Sequence, residues 1–199
     1  MIRTYFNSKA AIWDEIIAEK DTAKLQRMAN LLNIEQDSCL LDVGTGTGVF
    51  VPLLLNKIDK GGLLVALDVA EEMLKMSRAK CFRGNIEYLH ADTSCIPAGK
   101  EIFDAIVCYS SFPHFQDKRW AFAEIFRVLK KGGSLFICHT SSKAAINEIH
   151  RGIPLLESDI IPEEDQMRNM LLAAGYSDIT IDDLADSYML SAIKRELIK

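Results

Sequence analysis

Asp42, Asp68 and Asp92 each close or follow a short apolar run, and the first leads directly into a three-glycine turn, Gly44-Thr45-Gly46-Thr47-Gly48. If the strands carrying them run parallel, their carboxyl ends share one side of the sheet, so the three acids address a single crevice. Gly44, Gly46 and Gly48 reach backbone angles closed to other residues and let a ligand approach the main chain. Asp68 stands twenty residues past Gly48, the separation at which an acid accepts both hydroxyls of a ribose. Asp92, at the next strand end, is placed to accept from an exocyclic amine. The spacing is G-x-G-x-G, not the G-x-G-x-x-G of dinucleotide sites. Acidic strand ends also suit a cation better than a pyrophosphate. These residues therefore suit the holding of a cationic, nucleoside-type cofactor.

Histidines form the second set. His114 follows the fourth apolar run, His139 ends the fifth, and His150 lies in the connection after it. With a reference pKa near neutrality, His114 suits the role of general base for a phenol, a thiol or a carbon acid. His139, Asn147, His150 and Arg151 are candidates for touching the second substrate, Arg151 through a carboxylate. Their spacing matches no ligand run for zinc, so no metal is expected. Local hydrogen bonding is the plainer alternative for all of them.

The elements that must position these residues alternate. Residues 8–18 suit a short helix with Ala11, Ile12, Ile16 and Ile17 apolar, and Asp21–Leu32 suits a second. Leu40–Val43 reads as a buried strand, followed by a helix with Pro52 near its first turn and Leu53, Leu54, Leu55 and Ile58 along its apolar side. The pattern repeats through strands at 61–69, Ile86–Leu89, Phe103–Tyr109 and 134–139, with helices over Ala70–Lys80 and Lys118–Lys130. Such alternation calls for a doubly wound α/β fold, with a mostly parallel sheet and helices on both faces. The tail departs from it: a helix over Asp165–Ala174 stops at Gly175, and Ile179–Ile181 and Ser187–Ile193 read as an antiparallel pair. One domain is expected. It divides into a helical cover (1–37), a cofactor-binding core (38–139), a connection at 140–165 that could act as lid or substrate loop, and the tail helix with its strand pair (166–199). Tyr5, Phe6 and Trp13 would line the cover.

The chain has 199 residues, is 49% hydrophobic and carries a formal charge of −5, with a pI near 5.4. This balance excludes a basic nucleic-acid surface. No apolar run reaches membrane-spanning length and no leader pattern opens the chain. Five scattered cysteines without C-x-x-C spacing suit free thiols in a reducing cytoplasm. Near-neutral hydropathy and an apolar tail strand leave a homodimer open.

In its ordered set DVGTGTG (42–48), ALD (66–68), HAD (90–92), FDAIV (103–107) and LKKGG (129–133), the chain resembles the class I S-adenosylmethionine-dependent methyltransferases. Within them it is most similar to the small-molecule branch that includes quinone-biosynthesis enzymes. The resemblance implies a Rossmann-like seven-stranded sheet, S-adenosylmethionine as cofactor and S-adenosylhomocysteine as product. It implies that Gly44, Thr45, Gly46 and Gly48 pass the methionine and ribose, with Asp42 near the amino group. Asp68 would hold the ribose, Val69 and Met73 the adenine face, and Asp92 and Thr93 the adenine amine, beside His90. Tyr109 and Ser110 would lie by the transferring methyl. The Tyr109–His114 stretch lacks the Asn-Pro-Pro-aromatic signature of amino-methylating enzymes, which points to a small-molecule acceptor. The rivals are a non-catalytic S-adenosylmethionine-binding sensor or scaffold and a nicotinamide-dependent reductase.

Overall fold

The computed structural model describes residues 2–16 and 19–195; Ile17 and Ala18, expected to end the first helix, lie outside them. Seven strands form one sheet in the order β3-β2-β1-β4-β5-β7-β6. They are β1 (Cys39–Val43), β2 (Leu63–Asp68), β3 (Ile86–His90), β4 (Phe103–Tyr109), β5 (Leu129–His139), β6 (Tyr176–Leu184) and β7 (Ser187–Lys194). The first five are parallel, and β7 runs antiparallel between β5 and β6. The direction of winding reverses between β1 and β4, so the crevice for a ligand opens above their carboxyl ends. There Val43 lies beside Leu67, Asp68 beside His90, and Tyr109 beside Cys138.

Alternation along the strands separates two apolar layers. Leu41, Val43, Ile106, Cys108 and Ile137 face α6 (Lys118–Val128) and α8 (Glu164–Ala174) through Phe122, Ile125, Met167 and Leu171. Leu40, Val107, Phe136 and Cys138 face α3 (Thr22–Leu31) and α4 (Val51–Leu55) through Met28, Leu32, Phe50 and Leu54. Helix starts follow local chemistry. Asp21 accepts from Ala23 N and Lys24 N, Asp117 accepts from Trp120 N, and Pro52 falls in the first turn of α4. Gly175 ends α8 at φ 102°, and a Cβ there would lie 2.9 Å from the Phe126 ring.

Four elements differ from the sequence-based expectation. The first helix is broken into α1 (Ile2–Lys9), a 3-10 turn (Ala10–Ile12) and α2 (Trp13–Ile16). It begins earlier than expected because Arg3 and Asn7 bind Glu71 at the start of α5 (Glu71–Ala79), while Phe6, Ala10 and Trp13 pack on Ala70 and Met73. The 140–165 connection carries α7 (Lys143–Arg151), whose start is capped by Ser142 Oγ accepting from Ala145 N. β5 begins at Leu129, where it pairs with Phe103, and an irregularity in register absorbs the Lys-Gly-Gly turn. β6 runs from Tyr176 because β7 pairs with it over most of its length. Among the described residues no helix is long and apolar enough to cross a membrane.

Candidate active site

The glycine turn folds back over the end of β2. Gly44 N and Thr45 N donate to Leu67 O at 2.8 and 2.9 Å, and Gly46 N donates to Asp68 Oδ2 at 2.8 Å. Asp68 Oδ1 accepts from Ala70 N, also at 2.8 Å. One carboxylate thus ties the turn to the start of α5 and keeps accepting capacity, since its two oxygens offer about four lone pairs. Burial raises the Asp68 pKa, opposed by the two backbone donors. Gly44, Gly46 and Gly48 have φ of 73°, 56° and 82°, but for different reasons. A Cβ at Gly44 would sit 2.3 Å from Ser111 Cβ, and one at Gly48 would sit 2.4 Å from Ser77 Oγ; at Gly46 it would meet nothing within 4 Å. Gly46 therefore faces open space, and its neighbours face packed side chains.

That open space is a cavity of about 430 Å³. Asp68, Val69, Met73, Asp92, Thr93, Ser94 and the turn line it. Asp92 Oδ1 accepts from Ser94 N and Ser94 Oγ, which fixes a local turn. Tyr109 and Ser110 line the cavity too, the latter at φ 50°. Tyr109 stacks on Phe50 at 4.4 Å between ring centroids, and its hydroxyl lies 3.3 Å from Thr140 Oγ1, which donates in turn to Glu19 at 3.0 Å. Burial pushes Tyr109 up to about 12, so the phenol is neutral. Phe6, Phe115, Ile146 and Ile149 line the cavity as well, together with His114, His139 and His150. The Phe6 ring meets His114 edge-on at 4.9 Å, which brings the N-terminal cover to the histidines.

The three histidines arrive from three elements: the 3-10 turn after β4, the end of β5, and α7. His114 Nδ1 lies 2.9 Å from a carboxylate oxygen of Asp159, which is 5% exposed. His150 Nδ1 donates to the backbone carbonyl of the same residue. His139 is 4% exposed and its Nε2 has no partner. Burial, with His114 and His150 nearby, pushes its pKa down to about 3.

This predicts an acid-sensitive fold. Unfolded histidine protonates below about 6.5, whereas native His139 stays neutral down to about 3. In that window the unfolded state binds the extra proton, so stability falls as pH falls. Urea midpoints should show the His139 share as about 2 kcal/mol lost between pH 7 and pH 5, and His139→Leu should make that slope shallower.

A family model described as a methyltransferase domain matches residues 41–137. The ubiquinone/menaquinone biosynthesis C-methyltransferase UbiE of Wigglesworthia glossinidia brevipalpis is 37% identical over 109 residues, covering 53% of this chain and 44% of that protein. The enzyme of the same name from Edwardsiella ictaluri is 29% identical over 178 residues, covering 76% of this chain and 71% of its own. The first alignment thus spans less than half of the relative's length. In structure, a SAM-dependent methyltransferase from Aquifex aeolicus matches with a TM-score of 0.75 at 21% identity, covering 94% of this chain and 98% of the other. These matches make residues 41–137 a methyltransferase domain and support the class I S-adenosylmethionine-dependent methyltransferases as the family. Its glycine turn, the accepting capacity left on Asp68 and the open side of Gly46 fit the cofactor of that family.

Most of the residues expected at a methyltransferase site line the cavity: Gly44, Thr45, Gly46, Asp68, Val69, Met73, Asp92, Thr93, Tyr109, Ser110, His114, His139 and His150. Four do not. Asp42 is 2% exposed beneath the turn, its Oδ2 without a partner; burial raises its pKa to about 7, opposed by the Thr45 hydroxyl and reinforced by Asp68. Gly48 is a packing glycine against Ser77 and Phe82. Asn147 is consumed by Ile161, giving its amide to the carbonyl at 2.9 Å and accepting from the N–H at 2.8 Å. Arg151 is exposed on α7 and pairs with Glu148 at 3.4 Å. Tyr5, expected in the cover's lining, packs on Phe6 from outside the cavity wall. Asp159, Glu19, Thr140 and Phe115 went unnoticed in the sequence. For Asp159 the available signal was an acid set among Leu155, Leu156, Ile160 and Ile161.

Proposed function

We propose that the chain methylates a small-molecule acceptor, with His114 as general base. The reading rests chiefly on one observation: His114 stands on the cavity wall with Nδ1 held by buried Asp159, and among the described residues no hydrogen bond engages its Nε2. S-adenosylmethionine supplies an electrophilic methyl carbon on a sulfonium with a good leaving group. The acceptor atom forms its bond to that carbon as the carbon–sulfur bond breaks, the electron pair leaves on sulfur, and the acceptor's proton passes to His114 Nε2. Asp68 and the glycine turn hold one reactant, while the histidine pole and the apolar walls hold the other. Such alignment supplies roughly 7–11 kcal/mol without covalent help from the protein. The names of the relatives favour a ring compound as acceptor. Five free cysteines, two of them buried, support a reducing, cytoplasmic setting.

Calorimetric titration with S-adenosylmethionine, S-adenosylhomocysteine and a reduced nicotinamide dinucleotide tests the cofactor half. Both sulfur compounds should bind and the dinucleotide should not. Asp68→Ala, which removes both the ribose acceptor and the clamp on Gly46, should weaken binding at least about tenfold, the loss of one charge-assisted hydrogen bond. Dinucleotide binding, or unaltered affinity in Asp68→Ala, would contradict the reading.

A further inference from the structure

Asp159 sets the proton positions of two imidazoles at once. Its carboxylate meets His114 Nδ1, and its backbone carbonyl meets His150 Nδ1. A carbonyl oxygen only accepts, so His150 carries its proton on Nδ1; facing a carboxylate, His114 also holds a proton on Nδ1, and in the form that acts as a base its lone pair is on Nε2. Each ring is left with a lone pair on Nε2, and neither Nε2 has a protein partner among the described residues. The two ring centroids are 4.8 Å apart and the rings are tilted by 45°, within the reach of donors on neighbouring atoms of one ligand. Both rings line the cavity. The cavity wall thus offers a pair of hydrogen-bond acceptors.

Charge narrows the ligand further. Among the described residues no lysine or arginine lines the cavity, whereas Glu19, Asp68, Asp92 and Asp117 do. Lys118 gives its ammonium to the carbonyls of Pro113 and Phe115 at 2.9 and 3.1 Å. A phosphate or carboxylate entering here would meet acids and no cation, at a cost that grows with burial. Paired lone pairs also suit a metal ion, but among the described residues no group of three histidine, cysteine or acid side chains is placed to hold one.

We infer that the acceptor is an uncharged molecule with two proton-donating groups on neighbouring atoms of a planar ring, one bound to His114 Nε2 and the other to His150 Nε2. The first group loses its proton to His114 as it is methylated. The second is held by His150, which decides which atom faces the methyl. Phe6 and Phe115 cover the ring. This rests on the methyltransferase reading above.

The test uses the full chain saturated with S-adenosylhomocysteine and measures dissociation constants for 1,2-dihydroxybenzene, phenol and phenyl phosphate. The diol should bind about tenfold more tightly than phenol, the effect of one additional hydrogen bond to a well-placed acceptor, and phenyl phosphate more weakly than either. His150→Phe should erase the preference for the diol while S-adenosylhomocysteine still binds. Nitrogen NMR of the histidine rings should show the Nδ1-protonated form for both His114 and His150. Equal binding of diol and phenol, a preference that survives His150→Phe, tighter binding of phenyl phosphate, or an Nε2-protonated form of either ring overturns the inference. If S-adenosylhomocysteine itself fails to bind, the methyltransferase reading falls and this inference with it. If it binds and the preference is absent, this inference falls alone.

Discussion

Gly44→Ala should cost the protein roughly 3–5 kcal/mol of stability, from overpacking and left-handed backbone strain. The added Cβ would lie 2.3 Å from Ser111 Cβ, where φ is 73°. Ser111 has no room to yield, because its hydroxyl donates to Val43 O at 2.5 Å and it is buried at the end of β4. A loss of that size is a large share of the 5–15 kcal/mol that holds a typical domain, so urea unfolding should show a much lower midpoint and the variant should lose its cofactor affinity. Gly46→Ala separates packing from ligand approach. Its Cβ meets nothing within 4 Å, so the fold should survive with only the backbone penalty of about 1–2 kcal/mol. The methyl group then projects into the cavity proposed to hold the cofactor. Calorimetry should report a stable protein with S-adenosylmethionine affinity lowered at least about tenfold. A Gly46→Ala protein that binds as well as the parent would show that the turn does not contact the cofactor.

His114→Gln should lower kcat by about 10²- to 10⁴-fold, the usual contribution of a positioned general base. Glutamine keeps a donor for Asp159, so the buried carboxylate is not left unpaired, as alanine would leave it. Its amide cannot take a proton from the acceptor. Cofactor affinity should fall far less than kcat, since the base acts on the acceptor's proton and makes none of the hydrogen bonds proposed for the cofactor. Turnover with a cognate acceptor, followed as S-adenosylhomocysteine release, measures the first quantity and calorimetry the second. Unchanged kcat in His114→Gln would remove His114 from the chemistry and leave it as a binding or structural group.

What could be read from the sequence follows from how local its cause is. β1 and β2 with the acids Asp42 and Asp68 near their ends, β4, and the helices behind them, are set by runs of a few residues and by caps such as Asp21 and Asp117, so they were legible. Gly175 as the stop of α8 was legible for the same reason. α7 carried local signals too, Ser142 as cap and Ile146 and Ile149 at helical spacing, but they lay inside a stretch taken as a lid loop. Other features depend on contacts between distant segments. Asp159 reaches His114 across 45 positions, and Asn147 turns inward to Ile161 instead of toward a substrate. Asp42 ends its strand as expected, yet the turn folds over it and closes it away from the cavity. The sequence does not encode which side of a turn a carboxylate faces; the donation of Gly44 and Thr45 to Leu67 does.

The central claim is methyl transfer to a small molecule. Purified protein would be incubated with methyl-labelled S-adenosylmethionine and an extract separated into low-molecular-weight, protein and nucleic-acid fractions. The account predicts label in the low-molecular-weight fraction, at least about a hundredfold less with His114→Gln, and the labelled compound would identify the acceptor atom. Label in protein or nucleic acid, or cofactor binding with no transfer to any fraction, would contradict it.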